Sequence, residues 1–351
     1  MKNYKVFSII MIAAVFAIGF SSCSEDDPAP VPTVRFLADI NADNNFQVDI
    51  TLESTDASTF AWDYGDGNTS TEAASHSHTY EAAGEYTITV EATGDGGNAN
   101  HSEVVTIVAS IEDLIAGIGD GSKTWVLTQT EADFAGQLGG GPVANDLPLI
   151  PEMSLIPSEM LSMFGLGDEY TDEFTFYKDG TFTIDVKNAQ ALAGLVYGST
   201  TQSITTPSTD PSLLPLCAVQ YANIADGTWA LNYDDLTVRT FNEFTSATLE
   251  DVVFTFGEDG NVGSFTLSSG AYLGFTDLTY PAIPELGIAE PLDNSFYIIK
   301  DVTAESMNIA IGICGVPFLD AEGNPVYDQA EAAQPIFMYP TFMLHLTFVP
   351  K

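Results

Sequence analysis

At 351 residues the chain is long enough for two or three domains, and its 45% hydrophobic content, with 22 Phe and 14 Tyr, excludes a disordered chain. Nine basic residues stand against 49 acidic ones, a net charge of −40, which excludes nucleic acid and anionic membrane surfaces as partners. A strongly anionic polysaccharide is excluded as well unless cations bridge the two, so a neutral ligand is the natural partner.

Lys2 and Lys5 precede an apolar run from Val6 to Phe20, and Ser21-Ser22-Cys23 follows. A charged start, a short apolar core and a small-residue cleavage site make residues 1–22 a secretory signal. The run is near the short limit for a membrane span and has no second charged flank. Removing Lys2 and Lys5 with the leader leaves 7 basic residues against 49 acidic ones, a net charge of −42. The cysteine after Ser21-Ser22 resembles a lipobox, which implies cleavage ahead of Cys23 and acylation of Cys23 as a lipoprotein. Ser24-Glu25-Asp26-Asp27 is similar to the acidic tag of Bacteroidota lipoproteins displayed on the outer face of the outer membrane. The implied location is the outer membrane, facing the cell exterior, with membrane contact through the lipid anchor only. Residues 23–33 form the linker, and Pro28-Ala29-Pro30-Val31-Pro32-Thr33 is a stiff extended spacer.

Alternation begins next. Phe46, Val48, Ile50 and Leu52 alternate with polar residues, as do Phe60, Trp62 and Tyr64, and Tyr86, Ile88 and Val90. Period two with one apolar face predicts half-buried strands. Gly65-Asp66-Gly67, Ala83-Gly84 and Asp95-Gly96-Gly97 supply the turns, so a small β-sandwich is expected over residues 34–109. Trp62-Asp63-Tyr64-Gly65-Asp66-Gly67, His78-Thr79-Tyr80 and Ala83-Gly84-Glu85-Tyr86-Thr87-Ile88-Thr89-Val90 resemble the PKD domain, an immunoglobulin-like module of extracellular proteins. The resemblance implies a spacer or interaction module without catalysis, with Trp62 and Tyr86 in the core. Asp63 and Asp66 are expected to serve the turn through their carboxylates. His76 and His78 share a strand face, but no third ligand has metal spacing, so no metal is assigned.

Ser110-Ile111-Glu112-Asp113 starts a short helix, with Ser110 as cap and Asp113 at the capping-box position. Leu114, Ile115 and Ile118 share a face and Gly119 is expected to end it, making residues 110–122 a helical linker. Residues 123–351 read as a second all-β domain. Phe174 and Phe176 run into Lys178-Asp179-Gly180, and Phe182, Ile184 and Val186 return as a hairpin. Phe254 and Phe256 reach Glu258-Asp259-Gly260, and Phe265 and Leu267 return as a second expected hairpin. With Trp125, Trp229, Val238, Ile298, Ile309 and Leu346 on further runs, at least nine strands are expected, in an antiparallel β-sandwich or barrel with long loops. Trp125 and Trp229 alternate with aliphatic partners and belong to the core.

Three insertions interrupt the runs: residues 136–168, 188–226 and 315–340. Loops this long in a compact domain are where a ligand site is built. With Cys23 lipidated, Cys217 and Cys314 remain as an even pair in an oxidising compartment. Two readings stay open: a disulfide, contributing about 4 kcal/mol in the chain-entropy account, or two buried free thiols.

Lys123-Thr124-Trp125-Val126-Leu127, Asp179-Gly180-Thr181-Phe182, Gly270-Ala271-Tyr272-Leu273-Gly274-Phe275 and Leu346-Thr347-Phe348-Val349-Pro350-Lys351 resemble the C-terminal domains of PKD-bearing surface lipoproteins. Those accompany starch-utilisation-type outer-membrane glycan importers, and the resemblance implies a surface glycan-binding protein. Its partners would be a polysaccharide and the outer-membrane importer complex. Sugar binding needs flat aromatic faces for the C–H side of a pyranose and planar polar groups for its hydroxyls. The candidate ligand-binding aromatics are Tyr272, Phe275, Tyr280, Tyr327 and Tyr339, in turns and insertions.

Catalysis is not expected. Asp234-Asp235 and Asp168-Glu169 are adjacent carboxylates that point to opposite faces if they lie on strands. No nucleophile triad or phosphate-binding glycine loop stands out, and four histidines leave little for acid–base work at neutral pH. No cofactor is assigned; the Asp-Gly turns lack EF-hand spacing for calcium and read as plain turns. The expectation is therefore a polysaccharide-binding surface lipoprotein. A structural or adhesive protein-binding role is the alternative, and an accessory glycoside hydrolase is third.

Overall fold

The computed structural model describes residues 27–118, 121–128, 160–163, 165–207, 216–242, 248–257, 261–268, 270–286, 288–313, 327–328, 334–335, 340 and 342–351. Cys23, Cys314 and Tyr339 lie outside them; Tyr327 sits on a described strand, but its side chain lies outside. The chain divides into two compact units. Unit 1 comprises residues up to Asn41, Gln47–Tyr80 and Gly84–Ile107, and unit 2 comprises Ala42–Phe46, Glu81–Ala83 and Val108–Lys351.

Unit 1 is a two-sheet antiparallel sandwich. Its strands are β1 (Thr33–Ile40), β2 (Gln47–Thr55), β3 (Thr59–Asp63), β4 (Thr69–Ser70), β5 (His76–Thr79), β6 (Gly84–Gly94) and β7 (Gly97–Ile107). One sheet has the order β1-β2-β5 and the other β4-β3-β6-β7. The alternating side chains supply the layer between them: Phe36, Val48, Ile50, Trp62, Ile88 and Val90 are buried. Phe36 meets Trp62 from the opposite sheet edge to face, with centroids 5.1 Å apart. The turn acids act as expected: Gly65 N donates to Asp63 Oδ1 at 2.9 Å and Asn68 N to Asp66 Oδ1 at 2.9 Å. Gly65 has φ +82°, and a Cβ there would lie 2.8 Å from the Thr87 carbonyl oxygen. Gly65→Ala is therefore expected to cost unit 1 roughly 2–3 kcal/mol, read as a lower urea midpoint of its unfolding transition.

Unit 2 opens with α1 (Ile111–Ala116), whose capping box forms as expected: Ser110 Oγ accepts from Asp113 N, and Asp113 reaches back to Ser110 N. The helix stops at Gly117, φ 89°, two residues before the expected Gly119. Then come β8 (Ser122–Leu127), α2 (Met160–Met163), β9 (Glu173–Tyr177), β10 (Thr181–Asp185), β11 (Gln190–Gly194), α3 (Leu195–Thr201), β12 (Ile204–Pro207), β13 (Leu216–Gln220), β14 (Ile224–Asn232), β15 (Leu236–Asn242) and β16 (Thr248–Phe254). They are followed by β17 (Gly263–Leu267), β18 (Thr279–Tyr280), β19 (Leu292–Asp293), β20 (Tyr297–Val302), β21 (Met307–Ile313), β22 (Tyr327–Asp328), β23 (Gln334–Pro335) and β24 (Phe342–Pro350).

Eight of these strands close into a barrel, in the order β8-β9-β10-β14-β17-β20-β21-β24 and back to β8. Every neighbouring pair is antiparallel. Closure leaves no free sheet edge. The first expected hairpin is present, with Phe176 opposite Phe182. The second is not: β16 turns back on β15, Phe254 facing Leu236, while β17 pairs with β14 and β20. Alternation alone cannot choose a partner for a strand, and barrel closure gave β17 two others. An aromatic layer fills the interior. The Phe176 ring centroid lies 4.6 Å from Phe182, 5.2 Å from Trp229 and 5.2 Å from Phe265, and Trp125 is fully buried with its indole N–H on the Ile115 carbonyl at 2.8 Å.

Strict antiparallel order has a consequence for the loops. Successive barrel strands run in opposite directions, so their connections leave alternate ends. Four of the five long connections, 128–172, 186–223, 268–296 and 314–341, leave from one end. The other end carries α1, the short turns 178–180 and 303–306, and the 233–262 connection that contains β15 and β16.

Candidate functional site

At the insertion-bearing end, the segment after β17 folds inward. Gly274 has φ +72°, and a Cβ there would lie 2.5 Å from Phe348 Cζ and 2.8 Å from Leu346 Cδ1. Only glycine lets the backbone press this closely against β24. The inward turn buries the aromatics that were expected to face a sugar. Tyr272 is 1% exposed and lies against Phe174, with centroids 5.6 Å apart, and against Tyr221 at 4.9 Å. Phe275 is 2% exposed, and Tyr280 is 1% exposed with its ring 5.2 Å from Tyr197. All three are core residues, which corrects the platform expected of Tyr272 and Phe275 in their Gly-flanked segment and of Tyr280 before Pro281. A ring without an exposed face cannot stack on a sugar.

The same end holds a set of buried acids that sequence reasoning missed. Glu169 lies on the 3-10 helix Gly167–Thr171, Asp172 follows that helix, and Asp277 lies in the inward-folded segment; none is more than 4% exposed. Asp172 Oδ1 accepts from Lys187 N at 2.8 Å. Neither Glu169 oxygen has a hydrogen-bond partner of ordinary geometry, and its polar neighbours are the Asp172 carboxyl and the Leu192 backbone. Burial, and then the charge of Asp172, pushes the Glu169 carboxyl far above the usual carboxylate range; burial pushes Asp172 up as well. The two carboxyls thus hold a proton where free carboxylates would have lost it. The Tyr272 hydroxyl, also without a hydrogen-bond partner, is pushed up by burial and by both acids. The sequence signal was an Asp-Glu-Tyr-Thr-Asp run (168–172), which reads as surface because nothing local shows that the chain dips inward there.

Cys217 is a buried free thiol, and Cys314, the other member of the pair, lies outside the described residues. The Cys217 Sγ points to the Gly194 carbonyl at 3.5 Å, and burial pushes the thiol up to about 12, which keeps it protonated and inert. Among the described residues, no group of three or more His, Cys, Asp or Glu side chains is placed to hold a metal. In unit 1, His76 Nε2 meets Tyr64 Oη at 2.8 Å and His78 Nε2 meets Asp66 Oδ2 at 2.8 Å, so both rings serve the local packing.

Among the described residues, the exposed aromatic of unit 2 lies at the opposite end of the barrel. Tyr233 follows β14 in the turn before β15 and is 51% exposed. Its ring rests on bare backbone: a Cβ at Gly263 would come 3.2 Å from Tyr233 Cδ1 and 3.3 Å from Cε1. Its hydroxyl donates to Glu112 Oε1 on α1 at 3.4 Å. The turn is held by Asn232 Oδ1, which accepts from Asp234 N at 3.2 Å. Asp234 and Asp235 are both exposed beside it. Here the signal was legible, an aromatic residue between Asn232 and an Asp-Asp pair at the junction of two alternating runs.

Every basic residue among the described residues is engaged within the chain. Arg35 pairs with Glu53, Lys178 with Asp113, Lys187 with Glu173 and Asp185, Arg239 with Asp251, and Lys351 with Glu173. Lys123 donates to the Leu114 and Ala304 carbonyls, and Lys300 to Asn261 Oδ1.

Residues 27–109 match the family model of the PKD domain. Among solved structures, the PKD1 domain of Vibrio anguillarum Epp is 24% identical with a TM-score of 0.21, over 23% of this chain and 99% of that one. The PKD1 domain of the Vibrio cholerae metalloprotease PrtV is 28% identical with a TM-score of 0.20, over 23% of this chain and 100% of that one. A structure described as showing the basis for promiscuous specificity in carbohydrate-binding modules of the β-sandwich superfamily is 12% identical with a TM-score of 0.22, over 92% of each chain. TM-scores this low carry no argument about the barrel. No curated protein matches the chain.

Proposed function

We propose that this chain, whose first folded unit is a PKD domain, is a surface-held binding protein that takes a neutral polysaccharide on its barrel unit. It would pass the glycan to an outer-membrane uptake complex. The PKD match on residues 27–109 carries this reading. It sits directly after the apolar leader and Cys23, which would be the lipid attachment point on the outer face of the outer membrane. The charge pattern supports a neutral ligand: 49 acidic residues stand against 9 basic ones, and the described cations already have partners within the chain, so a uronate or sulfate would meet net repulsion. Glu169, Asp172 and Asp277 are buried and are assigned no catalytic role in this reading. Affinity per site would be modest, because exposed hydrogen bonds and ring contacts must offset the ordering of a flexible ligand.

The test is retention of the full chain from residue 24 onward on a panel of neutral and acidic polysaccharides. Retention on at least one neutral glycan and on no acidic one is expected; no retention on any would end the reading. A second reading, adhesion to another protein, draws on Leu37 and Val104, 62% and 59% exposed on the PKD unit. Retention on a surface-protein fraction with none on glycans would select it.

A further inference from the structure

A ring that stacks on a sugar must show one face to water, be held still, and have hydroxyl acceptors at its edge. Among the described residues, Tyr233 is the aromatic side chain more than a third exposed; the remaining Phe, Tyr and Trp side chains described are buried or partly buried. It is held at two points. The backbone of β17 at Gly263 supports one side of the ring, and Glu112 Oε1 takes its hydroxyl at 3.4 Å. The hydroxyl stays a donor across the physiological range, since burial and the Glu112 charge beside it push it up to about 12. A ring fixed in this way loses little freedom when a ligand arrives. Glu112, Asp234 and Asp235 supply acceptors around it.

We infer that Tyr233 is a stacking subsite for one neutral pyranose, at the barrel end that carries α1 and the 233–262 connection. The inference rests on the polysaccharide reading above and assigns its contact to a side chain that the insertions do not contain. The sugar's C–H face lies on the open side of the ring, where the electron-rich π face meets the slightly positive C–H groups. Its hydroxyls donate to the flanking carboxylates, as carboxylates accept hydrogen bonds strongly. An acidic sugar is rejected at the same place, because it would meet those carboxylates while Lys123 and Lys178 are already committed to Leu114, Ala304 and Asp113.

The experiment uses the full chain from residue 24 onward, with Tyr233→Ala and Tyr233→Phe, against the neutral glycan retained by the unmodified chain. The thermal transition of each variant is measured alongside; Tyr233 is exposed, so a shift under about 2 °C is expected. Tyr233→Ala is expected to weaken binding roughly tenfold or more, while Tyr233→Phe, which keeps the ring, stays within about threefold. Tyr233→Ala binding the glycan as tightly as the unmodified chain would overturn the subsite and leave the polysaccharide reading standing. If the unmodified chain binds no neutral glycan, both fall. If it binds an arginine- or lysine-rich peptide instead, and Tyr233→Ala loses that binding, the ring and its carboxylates recognise a basic partner and the sugar assignment is overturned.

Discussion

Glu169→Gln raises the melting temperature of the protein far more at pH 9 than at pH 5. The sign follows from where Glu169 sits. In the unfolded chain a glutamate loses its proton near pH 4.3. In the fold, burial and the adjacent Asp172 hold that proton to much higher pH. The folded state therefore binds more protons than the unfolded state from the ordinary carboxylate range upward, and stability falls with rising pH over that window. The penalty is absent below the unfolded value and complete above the folded one. Gln has the same shape and cannot ionise, and its amide can donate to Asp172. Each unit of pKa shift removed contributes about 1.4 kcal/mol, so a gain on the order of 2 kcal/mol or more at pH 9, roughly 5 °C, is expected. Asp168, Asp172, Asp185 and Lys187 act on the same pair of acids and remain in both proteins, as does the self-repulsion of the acidic surface. The difference between the two pH–melting curves thus isolates one carboxyl. Parallel curves from pH 5 to pH 9 would show that Glu169 carries no raised affinity for its proton.

Phe176→Ala is expected to be the most damaging single truncation in the barrel unit. The side chain is fully buried, and its ring neighbours Phe182, Trp229 and Phe265 come from three different strands. Removing it leaves a cavity that a closed barrel cannot collapse, because each wall strand is hydrogen-bonded on both sides. The cost should be about 3–5 kcal/mol, a fall on the order of 10 °C in the barrel transition by calorimetry. Leu37→Ala, at a 62% exposed position, serves as the control and should stay within about 0.5 kcal/mol. A loss under about 1 kcal/mol for Phe176→Ala would mean that the barrel interior is not filled by that ring cluster.

Particular elements show how far the chain could be read before its fold was known. The Ser110–Asp113 capping box and the Asp63 and Asp66 turn contacts were legible because each involves partners two or three residues apart. The 174–186 hairpin was legible because Lys178-Asp179-Gly180 is a turn flanked by matched alternation. The supposed 254–267 hairpin had the same local signature and did not form, since β16 pairs with the strand before it in the chain. Tyr272, Phe275 and Tyr280 looked like loop aromatics, and the glycines around them were read as turn signals. One of them, Gly274, sits close against β24, and all three rings are buried.

By itself the sequence determined an all-β chain with a PKD-type module ahead of a larger antiparallel domain, and a strongly acidic charge balance. Those properties are set by period-two burial, local turn chemistry and charge count, which need no knowledge of distant contacts. The tertiary structure alone decided that eight strands close into a barrel and that four of its five long connections share one end. It also decided that Glu169 and Asp172 are buried together while Tyr233 stays in water. These depend on which strand lies beside which, a choice made by ladder closure and burial across tens to hundreds of residues, where adjacency in sequence carries no information.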